Sequence, residues 1–221
     1  TAVGTTETIR SGTFAYSGAT FSGTGSWTLQ DVMNVDGFFD LQKGTLNQGA
    51  VAMNLSGKSR IASGAFFIKS TNASALSFDA SQTYEDEHGS NLGAVTIGTN
   101  PGITLTLSGA LTADTLTLSI GNTFVLSGGN ISVGTGGLAL QGTLDATNAS
   151  GTGADAYSKI VMSGAWVASG TGDFIPGSST VVFNGAANSH VITASGSFFN
   201  FIVNGTGATY LPSTTLYINN N

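Results

Sequence analysis

The residues of this chain that could do proton or metal chemistry are few and mostly far apart. There are two histidines, His88 and His190, and no cysteine. One segment gathers ionisable groups, Glu85-Asp86-Glu87-His88-Gly89. Carboxylates beside an imidazole suit a divalent cation. The spacing matches no calcium loop, however, and neighbours on an extended chain point to opposite sides. The segment from Gln82 to Leu92 therefore reads as an exposed acidic loop, with no metal site assigned. His190 precedes Val191 and Ile192 and reads as a polar residue at a strand start rather than a catalyst. Asp114, Asp145, Asp155 and Asp173 are too scattered to form the paired carboxylates of glycoside hydrolysis. No catalytic residue and no cofactor are assigned. Asn-x-Ser/Thr sequons at Asn54, Asn72, Asn130, Asn148 and Asn204 are candidate glycosylation sites if the chain is secreted.

The elements that must position these residues are strands. Ile103, Leu105 and Leu107 alternate with Thr104, Thr106 and Ser108, and Leu116, Leu118 and Ile120 alternate with Thr117 and Ser119. Period two of this kind is a half-buried strand. No segment of useful length carries a helical apolar period. Thr-x-Thr at Thr104–Thr106 and Thr115–Thr117 reads as solvent-facing strand formers. The pairs Phe38-Phe39, Phe66-Phe67 and Phe198-Phe199 must each place one ring inward and one outward, and Trp27, Trp166 and Phe201 add further aromatic surface.

Charge is nearly absent. Only 8% of the 221 residues are Asp, Glu, Lys or Arg, against roughly a quarter in ordinary domains. Scattered charge normally keeps folded domains apart, so this composition suits a protein that rests against copies of itself. The net charge of −6 argues against nucleic acid, which needs clustered cations. No apolar run reaches the roughly 18 residues of a membrane span. Residues 1–69 carry five basic and four acidic residues, and residues 70–221 one lysine and eight acids. A basic head and an acidic tail favour head-to-tail contacts. A first residue other than Met carries the expectation of a processed, secreted chain.

Ser-Gly follows an apolar residue at Leu55, Leu107, Leu126 and Met162. The last two intervals, 19 and 36 residues, suggest one and two coils of a β-solenoid, although a β-sandwich also yields short strands with regular turns. The last third is more specific. It runs Ile160-Val-Met-Ser-Gly-Ala-Trp166, Gly172-Asp-Phe-Ile-Pro-Gly-Ser-Ser-Thr-Val-Val-Phe-Asn-Gly185, His190-Val-Ile-Thr, Ser197-Phe-Phe-Asn-Phe-Ile-Val-Asn204 and Thr214-Thr-Leu-Tyr-Ile-Asn219. Over about residues 100–221 this resembles a repeat of secreted bacterial and archaeal surface proteins of the adhesin and autotransporter-passenger kind. The resemblance implies a right-handed parallel β-helix.

The expected fold is thus all-β. Residues 100–221 form a β-solenoid, and residues 1–99 are a β-rich region of open topology, with a separate sandwich-like sheet as one arrangement. The expected function is an extracellular, non-enzymatic structural protein that polymerises into a filament, sheath or surface layer by strand-edge pairing. Its partners are copies of itself, with cell-surface glycans as a further class. The expected edge is Thr214, Thr215, Leu216, Tyr217, Ile218 and Asn219. An adhesin stalk segment and a polysaccharide-active β-helix are the alternatives.

Overall fold

A strand that alternates Leu or Val with Thr or Ser is stable only when its apolar edge is covered. Here each strand stacks on another about one coil away in sequence. Asn54, for example, bonds Asn34, 20 residues earlier. The computed structural model describes residues 6–69, 75–147, 159–186 and 189–219. It is a β-solenoid of about 10 coils whose strands stack in parallel. No helix occurs among the described residues. At about 4.8 Å between strands, the stack is on the order of 50 Å long.

Each coil contributes to three faces. The first stacks Thr6–Ile9, Ser26–Leu29, Gly44–Asn47 and Ala65–Ile68. It passes through Ser90, whose hydroxyl accepts from Phe67 N–H, and through the Asn91–Thr112 bridge. It resumes in the middle of Thr104–Leu118 and continues through Asn130–Leu140, Lys159–Met162, Thr180–Phe183 and Asn200–Val203. The second face stacks Met33–Leu41, Met53–Leu55, Leu76–Phe78 and Ala94–Ile97, and later Trp166–Ala168, Ser189–Thr193 and Thr209–Pro212. The third runs from the end of Ala15–Phe21 through Ser59–Ile61, Gln82–Asp86, Thr123–Leu126 and Thr143–Asp145 to Asp173–Ile175.

The interior is a set of apolar ladders. On the second face Val35, Leu55, Phe78, Ile97, Leu118 and Leu140 lie in register, all buried. Towards the C-terminal end the filling becomes aromatic. Trp166 is 0% exposed and meets Phe174 and Phe198 edge-on at 5.0 and 5.4 Å between centroids. Phe183 joins the cluster and meets Tyr210 at 4.9 Å. Of the residues that carried the resemblance, Trp166, Phe174, Phe183 and Phe198 are therefore core residues. Two Phe-Phe pairs split as alternation requires, with Phe39 and Phe67 buried and Phe38 and Phe66 exposed; in the third, Phe198 is buried and Phe199 is half-buried at a bend between two strands.

Corners between faces need residues without side chains. A Cβ on Gly37 would lie 1.7 Å from Ser17 O, and one on Gly57 would lie 1.9 Å from Gly37 O. Elsewhere a buried amide does the turning. Asn122 Oδ1 accepts from Ile103 N–H at 2.9 Å, and its side chain occupies the place of any Cβ on Gly98.

Three sequence expectations change. The topology left open for residues 1–99 is, over its described residues, that of coils in the same parallel stack rather than a sandwich-like sheet, and Gln82–Asp86 pairs both Ser59–Ile61 before it and Thr104–Leu118 after it. Second, the 19-residue interval is one coil, since Leu107 pairs with Leu126. The 36-residue interval is not two coils, because Met162 pairs with Val133 and Phe183 on the first face. Ser-Gly marks corners in general, not one corner of every coil. Third, Gln82–Leu92 is not an exposed loop.

Candidate functional site

The acidic run is built into the third face. Glu85 faces outward, whereas Asp86 points inward and is 2% exposed. Its carboxylate is made tolerable there by four donors. Oδ1 accepts from His88 and Gly89 N–H at 2.8 and 2.7 Å, and Oδ2 from Ser90 N–H and the Tyr84 hydroxyl at 3.0 and 3.1 Å. The next turn is thus wrapped on one oxyanion. Glu87 turns outward, to Arg60 Nη2 at 2.7 Å. Three consecutive acids face three different environments. Among the described residues no group of three or more His, Asp or Glu side chains is placed to hold a metal ion.

Burial, with the neighbouring Asp86 charge second, holds the Tyr84 phenol well above its ordinary range. The folded state keeps a proton that the unfolded chain releases near pH 10, about the ordinary phenol value. This contribution is complete below that pH and is lost as pH rises towards the folded value. The melting temperature should therefore fall above about pH 10. Tyr84→Phe should flatten that fall, and an identical alkaline profile would assign it to other groups. The side-chain bond from Arg60, followed by the Ser63 backbone N–H, holds the Glu87 carboxyl below its usual range. Backbone donors Ser11 and Gly12 do the same for Asp31, which ties the second coil to the first.

Asp114 and Asp145 are similarly engaged, whereas the buried Nε2 of His190 has no hydrogen-bond partner. His190 lies in Ser189–Thr193, buried against Tyr210. Asp114 pairs with Lys69 and accepts from Asn91. Asp145 accepts from the Thr147 N–H and hydroxyl at 2.9 and 2.6 Å. Asp155 lies outside the described residues. Thr104–Thr106 lies on the third face and Thr115–Thr117 on the second, so they form no common surface; Thr104, Thr123 and Thr143 do align as one ladder. Of the sequons, Asn130 and Asn204 are exposed. Asn54 is half-buried, and its Nδ2 donates to Asn34 Oδ1 at 2.7 Å. Asn72 and Asn148 lie outside the described residues.

The predicted edge segment is shorter as a strand than expected. Only Tyr217–Ile218 pairs, with Ser197–Phe198. Thr214 and Asn219 hold it to the preceding coil: the Thr214 hydroxyl accepts from Ala194 N–H, and Asn219 N–H donates to Phe198 O. Leu216 packs on the core, while Thr214, Thr215, Tyr217, Ile218 and Asn219 are exposed. The rest of that last described coil went unnoticed in the sequence. It includes Ile202, Val203 and Leu211, all exposed. Asn200 and Asn204 N–H groups donate back to the preceding coil, to Ser179 O and Phe183 O. Backbone direction alternates along a strand, so Phe201 and Val203 present theirs to the open side. On the second face Ser213 N–H donates back to Ile192 O, so the open-side positions are Tyr210, with an N–H, and Pro212, which has none.

No family model, curated protein or solved structure matches this chain. Its geometry therefore carries the functional argument alone. No helix among the described residues is long and apolar enough to cross a membrane.

Proposed function

We propose that this chain is a non-enzymatic, extracellular structural protein that builds a filament, sheath or surface layer by stacking coil on coil. The observation that carries the reading is the last described coil. Its first face directs the backbone groups of Phe201 and Val203 outward, beside exposed Ile202 and Val203, and its third face exposes Tyr217 and Ile218. Strand addition satisfies such groups, each bond contributing about 0.5–1.5 kcal/mol net. The scarcity of charge removes the repulsion that would oppose it. The sheath or filament is then a homopolymer, joined head to tail.

A second reading is a stalk segment of a longer adhesin-like repeat protein. It is favoured by the undiminished coil pattern up to Tyr217–Ile218, which a following coil of the same chain would cover equally well. Electron microscopy and sedimentation of the purified chain separate the two. Polymers are expected, and Val203→Pro combined with removal of residues 214–221 should yield folded, unassembled protein. A wild-type chain that stays monomeric at high concentration would sink the assembly reading and leave the stalk.

A further inference from the structure

Glycine follows asparagine at two places, Asn184-Gly185 and Asn204-Gly205. The two steps stack one coil apart, just beyond the paired residues Phe183 and Val203 of the first face. The stacking itself demands both glycines. A Cβ on Gly205 would lie 2.4 Å from Gly185 O, and one on Gly185 would lie 2.7 Å from Ser163 O. Each asparagine is held by its backbone, Asn184 N–H donating to Met162 O and Asn204 N–H to Phe183 O. Both side chains are exposed, so access to water does not separate them.

The following nitrogen does. A backbone nitrogen after asparagine can close a ring on the side-chain amide carbon, and glycine leaves that approach open because it has no Cβ. Gly185 N–H is occupied. It donates to the Tyr210 hydroxyl of the next coil at 2.7 Å, and that hydroxyl donates to Met162 O at 3.3 Å. The Asn184 amide is anchored too, its Oδ1 accepting from Ser163 Oγ at 2.9 Å. Gly205 N–H and the Asn204 side-chain amide have no hydrogen-bond partner among the described residues. The reaction blocked at Asn184 is therefore open at Asn204.

We propose that Asn204 is a self-modifying site that becomes isoaspartate. The Gly205 nitrogen bonds to Asn204 Cγ, the Cγ–Nδ2 bond breaks, and the amide group leaves as ammonia with the Gly205 proton. Water then opens the cyclic imide at either carbonyl, giving aspartate or isoaspartate. The isoaspartyl form runs the main chain through the side chain, adds a carbon to the coil and leaves a carboxylate beside Val203. Such an edge no longer matches the ladder of an incoming strand. That consequence rests on the assembly reading; the conversion itself does not.

The test follows both asparagines in one sample. The purified chain is aged at mildly alkaline pH, its soluble fraction digested, and isoaspartate quantified in the peptides by mass spectrometry and isoaspartyl methyltransferase labelling. Asn204 should convert about tenfold faster than Asn184, the rate ratio that roughly one retained hydrogen bond supplies. In concentrated urea the two rates should converge. Tyr210→Phe, with a wild-type far-UV spectrum, should quicken Asn184 and leave Asn204 unchanged. Equal rates in the folded chain, a difference that persists in urea, or an Asn184 rate unmoved by Tyr210→Phe would overturn the assignment. Polymerisation is read separately, on fresh and aged chain by sedimentation, and aged chain should fail to polymerise. Fresh chain that stays monomeric would sink the assembly reading and leave the conversion standing, whereas aged chain that polymerises like fresh would overturn the effect on the edge.

Discussion

Alanine in place of Trp166 is expected to lower stability by about 3–5 kcal/mol, the usual cost of emptying a large buried aromatic site. The indole is fully enclosed, meets Phe174 and Phe198 edge-on and Phe183 at a tilt, so its removal undoes several ring contacts at once. The effect should also be local. In a solenoid each coil contacts mainly its neighbours, and stability is close to a sum of coils and interfaces. Hydrogen exchange should therefore accelerate in Lys159–Met162, Thr180–Phe183 and Asn200–Val203, while Met53–Leu55 and Leu76–Phe78 stay protected. Uniform acceleration along the stack would mean that the coils melt as one unit.

Asp86→Ala should be comparably damaging, by about 3–5 kcal/mol, because the carboxylate is the shared acceptor of four donors, two of them buried. It would strand the buried Ser90 N–H and Tyr84 hydroxyl, at roughly 1–3 kcal/mol each, and release the part-buried N–H groups of His88 and Gly89. Asp86→Asn keeps the shape and one acceptor and should fall between. Glu85→Ala, one residue away but facing outward, should cost little. Chemical denaturation of the three variants gives the comparison. Equal stability of Asp86→Ala and Glu85→Ala would show that the turn does not depend on the carboxylate.

The strands were legible because the alternation of Leu and Thr states which side of each is buried. The coil length was legible once, at Leu107 and Leu126, whose pairing is one full turn. The three-way division of a coil was not, because Ser-Gly recurs at corners of all faces. The burial of Asp86 was hidden because three adjacent acids look like a solvated run. The signal against that reading was Tyr84 two residues before it, on the same strand side, with Gly89 and Ser90 after it to supply backbone donors.

Pro212 sets the mechanics of any joint made at the last described coil. A following coil, from the same chain or another copy, finds outward backbone donors at Phe201 and Val203 on the first face and an exposed two-residue strand on the third. On the second face it finds the outward N–H of Tyr210 and then, at Pro212, a nitrogen that cannot donate. The seam would be stitched on all three sides but lack a donor at that one position. Under bending load it would open first at Pro212, as a hinge with a fixed direction. A fibre of such units would curve toward one side, and the angle would repeat at every subunit.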